Sequence, residues 1–240
     1  MQVPLSLSVR VQAWMRVRMT MWGLVLLAGA GLLASTPLTV PAVQAAGQST
    51  LVRRGPRALD ASTPIGYFIS EGRPVEGARP GDRQLAEWAL QAWRQAAADA
   101  FTLQPAPESE ARVLVIWAGP QVGQYGEMRS LDVKGAAGAA VYIRPDTSAL
   151  GPDIDDLAQR DPLFRDTVVY LTCLHELGHA FGLEHTNRFE DIMYSFAYGG
   201  DIVEYFSRFR RQLKTRADIA HASGMSAGDA ATIKRLYGTH

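Results

Sequence analysis

The chain has 240 residues, 47% of them apolar and 20% charged, which is the composition of an ordinary globular protein and excludes a disordered or collagen-like one. Its length suits one sizeable domain or two small ones. With 24 basic and 24 acidic side chains it has no excess of positive charge, so no nucleic-acid partner is expected.

Residues 1–45 carry Arg10, Arg16 and Arg18 and no acidic residue; the apolar run Met21 to Ala34 follows, and then small residues ending in Val43-Gln44-Ala45. A basic start, a short apolar core and a small-residue end make an export signal. The rival is an uncleaved N-terminal membrane anchor, since no charge falls between Arg18 and Arg53, although Pro37 and Pro41 argue against a full span. Either way the expected location lies outside the cytoplasm: secreted, periplasmic or at the cell surface. Cys173 is the only cysteine, so no intrachain disulfide can form, and the core and any bound metal must hold the fold.

Residues 46–62 read as a polar, basic linker. Pro64 to Ile69 reads as a strand, followed by a turn-rich segment from Glu71 to Pro80. Asp82 is placed to cap a helix through about Ala98, with Leu85, Trp88, Ala89, Ala92, Trp93 and Ala96 as its apolar stripe and both tryptophans in the core. Phe101 to Leu103 and Arg112 to Ala118 are further strands, the second β-branched and largely apolar. Gly119 to Lys134 reads as a surface loop. The Gly/Ala run from Gly135 to Ala140 lacks the ending of a phosphate loop; it leads into a strand at Val141 to Ile143, and its small residues permit close approach of another backbone. Asp153, Asp155 and Asp156 admit either a calcium site or a helix start, and the absence of a full calcium-loop spacing favours the helix.

The next helix begins near Leu163 and is apolar on most sides. It carries the stretch His175-Glu176-Leu177-Gly178-His179-Ala180-Phe181-Gly182-Leu183-Glu184-His185. Residues four apart share a helix face, so His175 and His179 can aim at one point. Two neutral imidazoles at that spacing suit Zn²⁺. Gly182 lets the chain leave the helix in a left-handed conformation, and His185 can then reach the metal from outside. Three ligands leave a fourth position for water, the arrangement of a catalytic site. Glu176, beside His175, reaches that water without being a ligand; it can take the proton and later hand it to a leaving amine, the logic of peptide-bond hydrolysis. Cys173 points almost oppositely to His175 and reads as a small buried hydrophobe.

These residues fill all five fixed positions of H-E-x-x-H-x-x-G-x-x-H, and the chain thereby resembles the metzincin metallopeptidases. Met193, in Asp191-Ile192-Met193-Tyr194, looks like the methionine of the Met-turn that lies beneath the zinc in those enzymes. Thr186 after the third histidine and the pair Met193-Tyr194 are similar to the matrixin branch, in its bacterial type. Ser195 stands where two other branches place a tyrosine ligand, which leaves Tyr194 as substrate-pocket wall. The resemblance covers roughly residues 60–240, is specific over 175–194, and includes a closing helix from Met225 to Gly238 with Ser226 as its cap. It implies an α+β metzincin (zincin-like) domain over 63–240: a twisted mixed sheet and two main helices above a cleft, and a smaller C-terminal subdomain after Gly182. It further implies a zinc endopeptidase acting on proteins or peptides, the extended substrate pairing along an edge strand, for which Ala139 to Ile143 is a candidate and its neighbour the alternative.

The sequence also departs from that pattern. Cys173 cannot serve as the propeptide cysteine that holds matrixin zymogens latent, so no thiol-based latency is expected. Only His221 and His240 remain for a second, structural zinc. Ser195 replaces the usual proline of the pocket wall, so side-chain preference does not carry over. Residues 196–224 exceed the usual link to the closing helix. Within them Ile202, Phe206, Phe209 and Leu213 form a helical apolar stripe capped by Asp201, with Arg208, Arg210, Arg211, Lys214 and Arg216 on other faces. This segment, 201–216, either lies on an anionic membrane or packs beside the loop that carries Tyr194; packing is favoured, because a stripe of core-sized side chains in water is costly. Two readings from other classes stay open: a catalytically idle zinc-binding adhesion or interaction module, and a membrane-tethered protein using zinc structurally. Glu176 argues against the first and the open fourth position against the second.

Overall fold

The computed structural model describes residues 56–121 and 124–238; the expected signal or anchor over 1–45 and most of the expected linker lie outside them. Five strands make one mixed sheet: β1 (Ile65–Ile69), β2 (Leu103–Pro105), β3 (Val113–Trp117), β4 (Gly126–Val133) and β5 (Ala136–Ile143), in the order β2-β1-β3-β5-β4. Strands β2, β1, β3 and β5 run parallel, and β4 is antiparallel to β5 at one edge. In β3, Val113, Val115 and Trp117 are buried while Leu114 and Ile116 are half-buried, the period of two that a sheet imposes.

The stretch expected as a loop over Gly119 to Lys134 is corrected by β4. This strand pairs residue for residue with β5, from Gly126 opposite Ile143 to Val133 opposite Ala136. Seven of its eight positions are half-buried or exposed, so it shows no apolar alternation; its order comes from the backbone ladder. The hairpin turns at Lys134 and Gly135, both with positive φ (55° and 86°), as a two-residue turn demands. After the turn at Gly135, the Gly/Ala run is therefore strand from Ala136 onward and not a lead-in. At Gly138 a Cβ would lie 2.7 Å from the carbonyl oxygen of Arg112, the close backbone approach expected there. Strand β5 lies between β3 and β4, so the free edge belongs to β4 and not to Ala139–Ile143.

Helix α1 (Asp82–Ala96) buries Leu85, Ala86, Ala89, Leu90 and Trp93, the stripe of an amphipathic helix. Trp88 is only half-buried, with the Arg216 guanidinium 5.1 Å from its ring. Asp82 does not cap this helix; Gly81 does, at φ +96°. The Asp82 carboxylate instead meets Arg165 in a buried pair, Oδ2 accepting from Nη2 at 2.8 Å, with both side chains at most 3% exposed. Arg165 Nη2 also donates to the carbonyls of Gly77 and Pro145, each at 3.3 Å. A buried guanidinium competes better for that carboxylate than the helix's own N–H groups.

Helix α2 (Pro152–Arg160) begins at the three aspartates, with Asp153 and Asp155 in its first turn. Asp161 then caps α3 (Pro162–Ala180), accepting from the N–H groups of Leu163 and Phe164. Fourteen residues of α3 are buried, so it is the central rod of the described domain, packed against the sheet and α1. Cys173 is wholly buried in it, and burial pushes its thiol far above the usual range.

Past Gly182 the smaller subdomain carries α4 (Ile202–Arg210) and α5 (Ala227–Tyr237). Asp201 caps α4 and Ser226 caps α5, both as expected. The stripe Phe206, Phe209 and Leu213 is buried, Phe209 stacking on Tyr170 of α3 with ring centroids 5.5 Å apart. The basic residues are engaged as well: Arg210 with Asp161, Arg211 with Glu204, and Arg216 with Asp166. Segment 201–216 thus packs on the domain. Among the described residues no helix is long and apolar enough to cross a membrane.

The last part of the expected linker also packs. Leu59 is buried, and its N–H donates to the Tyr237 hydroxyl at 2.9 Å; that hydroxyl donates to the Phe181 carbonyl at 3.1 Å. Arg112 donates to the Asp60 carbonyl at 2.7 Å. Residues 58–60 therefore form a strap across the end of α3, where α5 also lands.

Candidate metal centre

His175 and His179 sit near the C-terminal end of α3, and the chain turns back at Gly182 with φ +98°. That turn delivers His185. A Cβ at Gly182 would collide with the backbone of Ala58, so glycine is needed there for space as well as for φ. The Nε2 atoms of His175 and of His179 each lie 3.1 Å from His185 Nε2, and ligand atoms of all three fall within 4.8 Å of one another. Two nitrogens bound to one tetrahedral zinc at ~2.0–2.1 Å stand about 3.3 Å apart, so the spacing fits that ion.

The far side of each helical imidazole is tied down. His175 Nδ1 lies 2.7 Å from the Ile192 carbonyl and His179 Nδ1 lies 2.8 Å from the Leu183 carbonyl. A carbonyl only accepts, so both Nδ1 atoms carry the hydrogen and both Nε2 atoms present lone pairs. His185 Nε2 can donate to one of them at most. Lone pairs facing across 3.1 Å call for a cation between them. Burial lowers the pKa of His175 to about 3, aided by the neighbouring His179, and that of His179 to about 4; His185 is lowered too, again by burial. All three are neutral at physiological pH, the state a metal requires.

Glu176 is 8% exposed, covered by the start of β4. A Cβ at Gly126 would stand 2.6 Å from its Oε1, so this glycine lets the edge strand lie flat on the carboxyl. Burial, with the charge of Glu127 nearby, raises its pKa to about 8, against a hydrogen bond from the Met128 N–H that favours the ionised form. Beneath the histidines, Gly178 rests directly on the Met193 sulfur, and Met193 is fully buried. Trp93 donates from Nε1 to the Leu174 carbonyl at 2.8 Å, pinning α1 to the turn just before His175.

Sequence reasoning missed the groups that hold this floor. Asp229, 2% exposed at the start of α5, accepts from the Ile192 N–H at 2.8 Å and the Met193 N–H at 3.4 Å. Tyr205 of α4 donates its hydroxyl to the Ile192 carbonyl at 2.9 Å. The only local signal for Asp229 was its place three residues after the Ser226 cap, the spacing of a capping box, which the helix start displays. Tyr194 is 6% exposed, its ring against Phe189 and Phe196 and its hydroxyl donating to the Gly199 carbonyl at 2.9 Å. Beside His179 opens a cleft of about 270 Å³, lined by Met128 and Ser130 of β4, by Leu59 of the strap and by Arg57 just before it.

No curated protein matches this chain. The family model described as Matrixin matches residues 62–204, which takes in β1 through the start of α4 and all three histidines.

Proposed function

The chain belongs to the matrixin family of metallopeptidases, and from that premise we propose that it is a zinc endopeptidase of proteins or peptides in which His175, His179 and His185 hold the metal and Glu176 is the general base. The observation that carries this reading is the set of three converging Nε2 atoms, with both helical Nδ1 atoms committed to carbonyls. A zinc ion held there supplies the Lewis acid that polarises the scissile carbonyl and acidifies the attacking water. Glu176 takes the water's proton as its oxygen attacks the carbonyl carbon. It then delivers that proton to the amide nitrogen as the C–N bond breaks, leaving a carboxylic acid and an amine. Burial raises the Glu176 carboxyl to about 8, so it holds a proton readily, and the charge of a zinc ion at the three histidines would draw it toward the ionised form that must act first.

The substrate is an extended chain laid along β4, the outer strand, with one of its side chains in the cleft between β4 and the strap. Incubation with a denatured protein mixture tests the whole reading. Fragments are expected, their formation stopped by a chelator and restored by Zn²⁺. An adhesion module or a structural zinc protein would leave the mixture intact in every arm. Export directed by residues 1–45 to a secreted, periplasmic or surface location is part of the proposal, an uncleaved N-terminal anchor being the less favoured alternative.

The buried titrating groups also shape the stability of the chelated protein. The histidines have depressed folded pKa values, so they add stability that is present above the unfolded value of 6.5 and lost as pH falls toward 4 and 3. Glu176 has a raised value, so its neutral folded form loses ground as pH rises from 4.5 to about 8. The two limbs meet in a maximum at about pH 6.5–7. Thermal melts of chelated protein from pH 4 to 9 check this, and a Tm rising steadily across pH 7 to 8 would contradict it.

A further inference from the structure

The backbone of Ile192 is held from three directions. Its N–H is taken by Asp229 of α5, and its carbonyl oxygen accepts both His175 Nδ1–H at 2.7 Å and the Tyr205 hydroxyl at 2.9 Å. Both lone pairs of that oxygen are thereby used. Tyr205 has one hydrogen to give. Its other contact, the Asp191 carbonyl at 3.4 Å, is longer, so the proton lies toward Ile192. Tyr205 is 4% exposed, and its ring is fixed apart from the hydroxyl: Phe196 and Phe189 lie 5.1 and 5.8 Å away between centroids, and the Arg208 guanidinium stands 4.4 Å over the face. Burial pushes the phenol far above its ordinary range, so it remains a donor.

We propose that Tyr205 is a positioning residue of the metal centre, acting through the Ile192 carbonyl on the orientation of His175; the inference rests on the zinc reading given above. A carbonyl held by one donor can swing with its peptide plane. With the second lone pair pinned by α4, the direction offered to His175 Nδ1–H is fixed, and so is the aim of Nε2. The helix that provides this hydroxyl lies in the segment between the methionine turn and the closing helix, so that segment is built into the metal site and does more than fill space beneath it.

Tyr205→Phe removes the hydroxyl and keeps the ring. Zn²⁺ affinity, read by competition with a chromophoric chelator, is expected to fall about tenfold, the lower end of the range for partners that orient metal ligands. The gain in Tm on adding zinc should shrink, and the visible spectrum of the Co²⁺-loaded protein should shift. Phe209, buried on the same helix against Tyr170, provides the packing control: Phe209→Leu should lower the Tm of chelated and loaded protein alike and leave Zn²⁺ affinity within twofold. A Tyr205→Phe protein whose Zn²⁺ affinity and Co²⁺ spectrum match the parent's overturns the inference, as does an equal loss of affinity in Phe209→Leu. If instead the parent binds no zinc, or His179→Ala binds as the parent does, the underlying zinc reading has failed.

Discussion

Glu176→Ala is expected to cut peptide cleavage by about 10²–10⁴-fold, the usual worth of a positioned acid or base, while zinc content stays that of the parent. The carboxyl is not among the three converging groups, so its loss takes no ligand from the metal. It is fully placed within the protein, under Gly126 and against the Met128 N–H, so its removal opens a small hollow beneath β4 without unseating the histidines. Glu176→Gln sharpens the test: it keeps the shape and the burial and loses the ability to take a proton. Both variants should fail in kcat more than in KM, since the residue acts on the reacting atoms. Metal analysis beside a steady-state assay decides the matter, and turnover near the parent's rate in either variant would sink Glu176 as the base.

A second large effect should come from a pair far from the chemistry. Arg165→Leu is expected to destabilise the protein by about 3–5 kcal/mol, because it leaves the buried Asp82 carboxylate without its charge partner. The pair joins α1 to α3, and Arg165 also holds the carbonyls of Gly77 and Pro145, so three segments lose their shared partner on α3 at once. For a domain of this size each kcal/mol moves Tm by about 2–4 °C, which puts the loss at about 10 °C or somewhat more. The double change Arg165→Leu with Asp82→Leu should recover much of it, since an apolar pair leaves no charge unpaired. Equal Tm in single and double variants would show that the cost is lost packing and not the stranded charge.

How much of this molecule could be read from its residues depends on how local each cause is. The three histidines, Glu176 and Gly182 lie within eleven residues; helix geometry aligns His175 with His179, and the turn at Gly182 brings in His185. Met193 stood out only through its distance from that stretch. Strand β4 was hidden because an edge strand needs no apolar face, and because Lys134-Gly135 is not one of the familiar hairpin dipeptides. Asp82 looked like a cap because its rival, Arg165, is 83 residues away and its burial is invisible in sequence. Asp229 and Tyr205 reach Ile192 across 37 and 13 residues, and no spacing rule announces a side chain that grips a distant peptide bond. Ligands are legible where the backbone repeats; the groups that aim them come from the tertiary fold.

The strap at residues 58–60 bears on the timing of assembly. Leu59 and Tyr237 meet across 178 positions, and Tyr237 in turn holds the Phe181 carbonyl at the threshold of the turn that launches His185. Such a contact closes late, because the entropy of joining distant parts of a chain must be met before the contact rewards it. In a polypeptide emerging from its N-terminus, α3 can form with two histidines in place while the third still has no fixed address. Only when α5 has been made and has landed does the turn acquire its backing. The backing of the turn that carries His185 is thus complete only once α5 is in place.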